Sequence, residues 1–416
     1  MIARDLASQL MKAATWSPSI TVTGPRQSGK TTLCRAMFPD RPYRSLESPD
    51  VRAFAMEDPR AFLAQFPDGA VIDEVQRVPD LLSYLQGAID DDPTPGRWIL
   101  SGSQNLALIA SVSQSLAGRT ALHQLLPLSW NEVNRFANCP ATLEEAILSG
   151  GYPRIFDREL DPSDWLRSYV GTYIERDVRA ISNVGDLNAF QRFLGLCAGR
   201  TGQLLNYSSL ADDCGISQPS AKSWFSILEA SFVAFHLPVF GGKVRKRLIK
   251  MPKLHFNDSG LACWLLGIRD PEQLVSHPLR GALFETWVVS ELLKRRTHRG
   301  KTGGLSYYRE RGGAELDLVV DDSSGLTLIE AKSATTPSSS LFDSARRVRR
   351  QLDDMGMHSE VAVVYGGDES RRNSDGSRLV PWHQVHDQPP DAVDAAEAAS
   401  GDIVSDASND APSRVP

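Results

Sequence analysis

Residues Gly24-Pro25-Arg26-Gln27-Ser28-Gly29-Lys30-Thr31 satisfy every fixed position of the pattern G-x-x-x-x-G-K-[ST]. Their flanks suit the pattern: Ser19-Ile20-Thr21-Val22-Thr23 is short and β-branched, and Thr32-Leu33-Cys34-Arg35-Ala36-Met37 can start a helix. A strand, a glycine turn and a helix N-terminus aim backbone N–H groups and the positive end of a helix dipole at one point, where a phosphate would sit. Gly24 and Gly29 let the backbone curl. Lys30 is expected to reach the β- and γ-phosphates of a nucleotide, and the Thr31 hydroxyl to ligate Mg²⁺, with Thr32 completing the loop.

A 416-residue chain has room for two or three domains, and 41% hydrophobic with 23% charged residues is ordinary for a globular protein. No stretch approaches the ~20 apolar residues of a membrane span, and the N-terminus lacks the apolar core of a secretory signal. The cysteines, Cys34, Cys139, Cys197, Cys214 and Cys263, form no C-x-x-C pair, so reduced thiols and a cytoplasmic location are expected. The net charge of −6 is concentrated beyond Gln384, in Asp387, Asp391, Asp394, Glu397, Asp402, Asp406 and Asp410 against Arg414. Basic clusters lie inside the chain at Lys243-Val-Arg-Lys-Arg247, Lys294-Arg-Arg296 and Arg346-Arg-Val-Arg-Arg350, each open to reading as a solvated face or a polyanion contact.

The pattern along the first part alternates. A helix is expected over 6–14, helical spacing over 50–66, a buried strand over 69–74, a helix over 81–90, a buried strand over 97–103 and another over 121–126. Such alternation implies a parallel sheet covered on both faces, with ligands at the carboxyl ends of its strands. The polar residues fall there. Asp73 closes an apolar run and is placed to hold Mg²⁺; Glu74 is placed to orient or deprotonate an attacking water. Ser103, Gln104 and Asn105 end the next strand near the expected γ-phosphate. Arg119 is a further candidate, for a nucleotide in its own chain or in a neighbouring copy.

These residues together are specific enough to resemble a family. Gly24–Thr32, Ile72-Asp-Glu-Val-Gln76, Leu100-Ser-Gly-Ser-Gln104, Leu116-Ala-Gly-Arg119 and Leu126-Pro-Leu-Ser129 resemble the AAA-type ATPase domain of a large prokaryotic group. Gly150-Gly-Tyr-Pro153, Tyr173-Ile-Glu-Arg-Asp177, Phe256-Asn-Asp-Ser-Gly260, Gly281-Ala-Leu-Phe-Glu285 and Tyr307-Tyr-Arg309 resemble the DUF4143 domain usually fused to it. The resemblance implies ATP and Mg²⁺ as ligands, and it raises self-association as an expectation.

The second half offers two more patterns. Helical stretches over 208–214 and 217–230, with Ser217 as N-cap, precede a β-rich basic stretch over 235–253, and this order resembles a winged helix. With Lys222 and the 243–247 cluster it makes DNA an expected partner; the helix is poor in base-reading side chains, so binding without sequence preference is expected. An amphipathic helix over 279–296, strands over 305–320 and 326–332, a helix over 341–355 and a strand over 361–365 follow. Asp317 across a hairpin from Glu330, with Lys332 on the same face and Glu285 from the preceding helix, could hold a divalent metal and a hydroxide. That set resembles the PD-(D/E)XK nuclease core.

The expected fold class is therefore α/β. A P-loop NTPase parallel sheet (1–135) comes first. A helical region (136–200), a winged-helix-like region (201–270), a PD-(D/E)XK nuclease-like domain (271–383) and a disordered acidic tail (384–416) follow. Two functions fit: an ATPase coupling nucleotide state to a DNA-acting module, or an ATP-gated protein-binding scaffold whose C-terminal domain is catalytically inactive.

Overall fold

The computed structural model describes residues 2–103, 115–174, 186–241, 251–310, 313–323 and 325–387. Its first layer is a five-stranded, wholly parallel sheet in the order β2-β3-β4-β1-β5. Helix α1 (Ala7–Ala13) leads into β1 (Ser19–Thr23), and α2 (Lys30–Met37) leaves it. Strand β2 (Tyr43–Ser45), helices α3 (Pro49–Glu57) and α4 (Pro59–Ala64), strand β3 (Ala70–Asp73), helix α5 (Leu81–Asp91), β4 (Trp98–Ser101) and β5 (Thr120–Gln124) follow. Both faces are covered, which is why the inner strands read as unbroken apolar runs. Val71 and Ile99 point to the side of Leu10 and Leu33, whereas their neighbours Ile72 and Leu100 point to the side of Phe62 and Leu85.

Two details differ from the sequence expectation. The helical spacing over 50–66 is two helices, because Pro59 has no N–H to continue the first and Asp58 caps the second by accepting from Ala61 N at 2.9 Å. Strand β2 was not expected; it is an edge strand of three residues, too short to show a period.

From Trp130 to Ile174 the chain runs through short helical elements, and a further helix spans Leu187–Gly199. The helices Tyr207–Cys214 and Gln218–Ala230 meet at Gly215, and Ser217 caps the second by accepting from Ser220 N. Strands β6 (Ala234–Leu237) and β7 (Lys253–Phe256) form an antiparallel pair. The expected motifs at 150–153 and 256–260 touch each other: Asp258 accepts from Gly151 N at 2.7 Å while capping the next helix through Leu261 N at 2.9 Å.

The helix Arg280–His298 was expected to be amphipathic, and it is instead buried nearly all round. It lies between the parallel sheet and the second half, so its charges are internal. Lys294, Arg295 and Arg296 of the basic cluster are buried, not displayed as a solvated face. Glu291 accepts from Lys294 Nζ at 2.7 Å and from Trp130 N at 2.6 Å, and Arg296 pairs with Asp322 at 2.8 Å.

A second, mixed sheet closes the fold. Strands β8 (Leu305–Arg309), β9 (Glu315–Asp322) and β10 (Gly325–Lys332) are antiparallel neighbours. The helix Asp343–Asp353 crosses over to β11 (Ser359–Tyr365), which runs parallel to β10. Strands β12 (Arg371–Arg372) and β13 (Arg378–Pro381) extend the edge, giving the order β12-β13-β11-β10-β9-β8. One apolar core reaches from Leu128 to Val385 across helices, hairpin and sheet. At the start of the segment expected to be a tail, Val385 is buried and the ring of His386 sits 2.9 Å from Glu291; residues 388–416 of that expectation lie outside the described residues. No helix among the described residues is long and apolar enough to cross a membrane.

Candidate functional site

The loop between β1 and α2 stands at the carboxyl end of the central strand. Gly24 has φ 147°, and a Cβ there would lie 2.1 Å from the Leu125 carbonyl oxygen, so only glycine fits. Gly29, at φ 92°, turns the chain into α2. Lys30 is buried at the helix start, and its Nζ donates to the carbonyls of Gly24 (3.0 Å) and Pro25 (2.7 Å). Burial lowers its pKa to about 8, opposed by the nearby Glu74 and Asp73 carboxylates. The Ser28 hydroxyl is buried with no protein partner, an orphan polar atom in the middle of the loop.

Asp73 sits at the tip of β3 and gathers three hydroxyls. Thr31 Oγ1 donates to its Oδ2 at 2.9 Å, Tyr43 donates to the same oxygen at 2.9 Å, and Ser101 donates to Oδ1 at 2.5 Å. Glu74 follows with φ 55° and ψ 42°, a left-handed conformation uncommon for glutamate. That twist turns its carboxylate away from the Asp73 cluster. Glu74 Oε2 accepts from Gln76 at 2.6 Å and from Ser103 at 3.2 Å. A cavity of about 1090 Å³ joins these groups, lined by Arg26, Gln27, Lys30, Thr31, Thr32, Asp73, Glu74 and Ser103.

Four lining side chains had no sequence signal. Arg4 donates to the Ser28 carbonyl at 2.7 Å, to Leu126 O at 2.9 Å and to Glu132 at 2.8 Å, clasping the loop to the segment beyond the sheet. Arg154, Asp157 and Arg158, on and just after the helix Pro153–Asp157, face the same cavity. An isolated arginine near a terminus and charges on a short helix carry no pattern by which they could have been found.

Arg119 is elsewhere. Its carbonyl accepts from Ser19 N, so it stands at the amino end of β1, roughly 15 Å of strand away from the loop, and its guanidinium pairs with Asp90 at 2.5 Å. Reach to its own chain's nucleotide is excluded by that direction. Gln104 and Asn105 lie outside the described residues.

Magnesium, implied by the resemblance, fits the first site: a hydroxyl and a carboxylate already touch at Thr31 and Asp73, beside the orphan Ser28 hydroxyl.

The second expected cluster does assemble, with a difference. The register Leu318↔Ile329 sets Asp317 opposite Glu330, and Lys332 Nζ lies 2.5 Å from Glu330 Oε1. Glu285 arrives from the long helix. Between these acids stands Lys253 of β7, which the sequence reading did not include: its Nζ is 2.8 Å from Glu285, 3.0 Å from Glu315 and 3.7 Å from Asp317. Burial and then the Asp317 charge push the Glu285 and Glu330 carboxyls above their usual range, against the pull of the neighbouring lysines. Among the described residues, no group of three or more His, Cys, Asp or Glu side chains is disposed to hold a metal ion. The metal expected at Asp317 and Glu330 does not fit, because each acid already has an ammonium beside it, Lys253 at Asp317 and Lys332 at Glu330. Of the basic residues proposed for DNA, Lys222 is exposed on its helix and 243–247 lies outside the described residues.

The parallel sheet with this loop defines a P-loop nucleotide-binding protein. Family comparison agrees: residues 17–134 match the AAA domain, 140–272 a domain of unknown function (DUF8612) and 280–385 a domain of unknown function (DUF4143). The chain belongs to the AAA-domain ATPase family that carries DUF4143, and its AAA domain supports ATP binding. DUF4143 begins later than expected, so the motifs at 150–153, 173–177 and 256–260 belong to the DUF8612 segment. Uncharacterized proteins of Mycobacterium tuberculosis and Mycobacterium bovis are each 31% identical over 385 residues, 92% of this chain and 84% of theirs. Among solved structures, a Walker-type ATPase of Pyrococcus abyssi is 15% identical, over 64% of this chain and 96% of its own, with a TM-score of 0.43. AMPPCP-bound DnaA of Aquifex aeolicus is 13% identical, over 54% and 85%, with a TM-score of 0.26.

Proposed function

We propose that the chain is a cytoplasmic Mg²⁺-dependent ATPase whose nucleotide state is read by its second half. The observation that carries this reading is the direct Thr31–Asp73 hydrogen bond beside buried Lys30 in one cavity. Thr31 and Asp73 would hold Mg²⁺, which supplies charge neutralisation at the phosphates. Lys30 would leave the Gly24 and Pro25 carbonyls for the phosphate oxygens, exchanging neutral acceptors for charged ones. The backbone N–H groups of the loop and the Ser28 hydroxyl would cradle the same group. Glu74, held by Gln76 and Ser103, would orient or deprotonate the attacking water, and Ser103 would sense the γ-phosphate. Measuring phosphate release from ATP with and without Mg²⁺ tests the reading; no turnover by the full chain under any metal would refute it.

Arg154, Asp157 and Arg158 bring the DUF8612 segment to the nucleotide cavity, which supports coupling between the halves. The second half takes one of two roles. The helix–turn–helix followed by the β6–β7 pair supports a winged-helix contact with DNA, without sequence preference. The order helix, β8, β9, β10, helix, β11 supports a PD-(D/E)XK-like fold, while Lys253 among the acids favours a binding module, DNA or protein, over a cutting one. ATP turnover with and without added plasmid DNA separates a DNA partner from a protein partner, and gel filtration with ATP tests self-association.

A further inference from the structure

The acidic cluster of the DUF4143 segment is completed from outside that segment. Lys253 belongs to β7, in the stretch matched to DUF8612, and its side chain is only 2% exposed. Its Nζ touches carboxylates from two elements: Glu285 on the long helix, and Glu315 and Asp317 on β9. Lys332, the lysine of the strand pattern, is engaged separately with Glu330.

Distance and charge together identify what Lys253 replaces. A divalent cation bound by carboxylates would lie about 2.0–2.6 Å from their oxygens. An ammonium hydrogen-bonds at 2.8 to 3.0 Å, as here. Both cannot occupy the space between Glu285 and Asp317. The next residue on the same face of β7 closes the other side: His255 is wholly buried, its Nδ1 bonds Thr286 at 3.0 Å, and its Nε2, without a hydrogen-bond partner, points to Glu285 at 3.9 Å.

We propose that the Lys253 ammonium is the resident cation of this cluster, joining the two segments in place of a divalent metal, so that the wild-type cluster takes no metal and performs no metal-dependent cleavage. The inference stands apart from the ATPase reading, since the phosphate-loop cavity shares none of these residues.

The test is Mn²⁺ binding to the full, nucleotide-free chain, followed by calorimetry and by electron paramagnetic resonance. Any Mn²⁺ taken up by the phosphate-loop site is common to all variants and serves as the baseline. Wild type and Asp317→Asn are expected to bind Mn²⁺ identically. Lys253→Ala is expected to gain one Mn²⁺ per chain, lost again in Lys253→Ala/Asp317→Asn, and to recover its lowered Tm when Mn²⁺ is added. A wild-type Mn²⁺ site that Asp317→Asn removes would overturn the proposal, as would a folded Lys253→Ala that gains none. Should Lys253→Ala fail to fold, the comparison of wild type with Asp317→Asn still decides.

Discussion

Thr31 Oγ1 donates a 2.9 Å hydrogen bond to Asp73 Oδ2, tying the first turn of α2 to the tip of a strand 42 positions further on. The pair brings a hydroxyl and a carboxylate to one point, the donor set a hard cation takes beside a triphosphate. Asp73→Ala is expected to lower Mg²⁺-dependent kcat by about 10²-fold or more, with nucleotide affinity in the absence of metal changed far less. Steady-state turnover across a Mg²⁺ series checks it.

Lys30→Ala is expected to abolish measurable ATP binding, read by titration with a fluorescent nucleotide. The wild-type protein should add a pH signature. With the free lysine at about 8 and its bound value raised by phosphate, affinity is full below pH 8 and falls as pH rises through that value. Near pH 8 binding should take up a fraction of a proton, visible as a buffer-dependent heat; proton release instead would contradict the assignment.

Glu74→Gln keeps the shape and removes the base. ATP binding is expected to persist while turnover drops by about 10²–10⁴-fold. If hydrolysis stays normal in single-turnover assays, another residue orients the water.

Arg119→Ala is expected to leave ATP turnover per chain unchanged at low protein concentration, since the guanidinium pairs with Asp90 at the far end of the sheet. Turnover measured over a concentration series would expose a contribution to a neighbouring copy as a loss confined to high concentration.

Lys294→Ala leaves Glu291 buried without its main counter-charge and should cost about 3–5 kcal/mol of stability, read from the denaturant midpoint. Burial would raise Glu291, yet Lys294 and His386 outweigh it and hold the carboxyl at about 2; Glu132, beside Arg4 and His298, is likewise held at about 2. Folded values below the unfolded ones give stability that is complete above about pH 4.5 and is lost as pH falls from there towards 2. Thermal melting across pH 2–6 should show that loss in wild type.

Much of the first half was legible in the chain. Gly24 to Thr31 and the apolar runs ending in Asp73 and Ser101 are local facts, dictated by backbone geometry and by period. Even the register that sets Asp317 opposite Glu330 follows from alternation along two adjacent strands. What the chain could not announce is which distant side chain enters a site. Arg4, Arg154 and Arg158 reach the nucleotide cavity, and Lys253 reaches the acidic cluster, from segments far away in sequence.

Direction was equally hidden: Arg119 lies close to the loop in strand count and at the opposite end of the sheet in space. The helix Arg280–His298 reads as amphipathic by its own period, yet both of its faces are covered once the two halves pack, and its charges become internal pairs. Sequence alone determined where a phosphate would be held, because that chemistry lives in eight consecutive residues. The tertiary structure decided what surrounds it and what fills the second cluster, because burial and charge pairing depend on contacts between residues that the chain itself keeps apart.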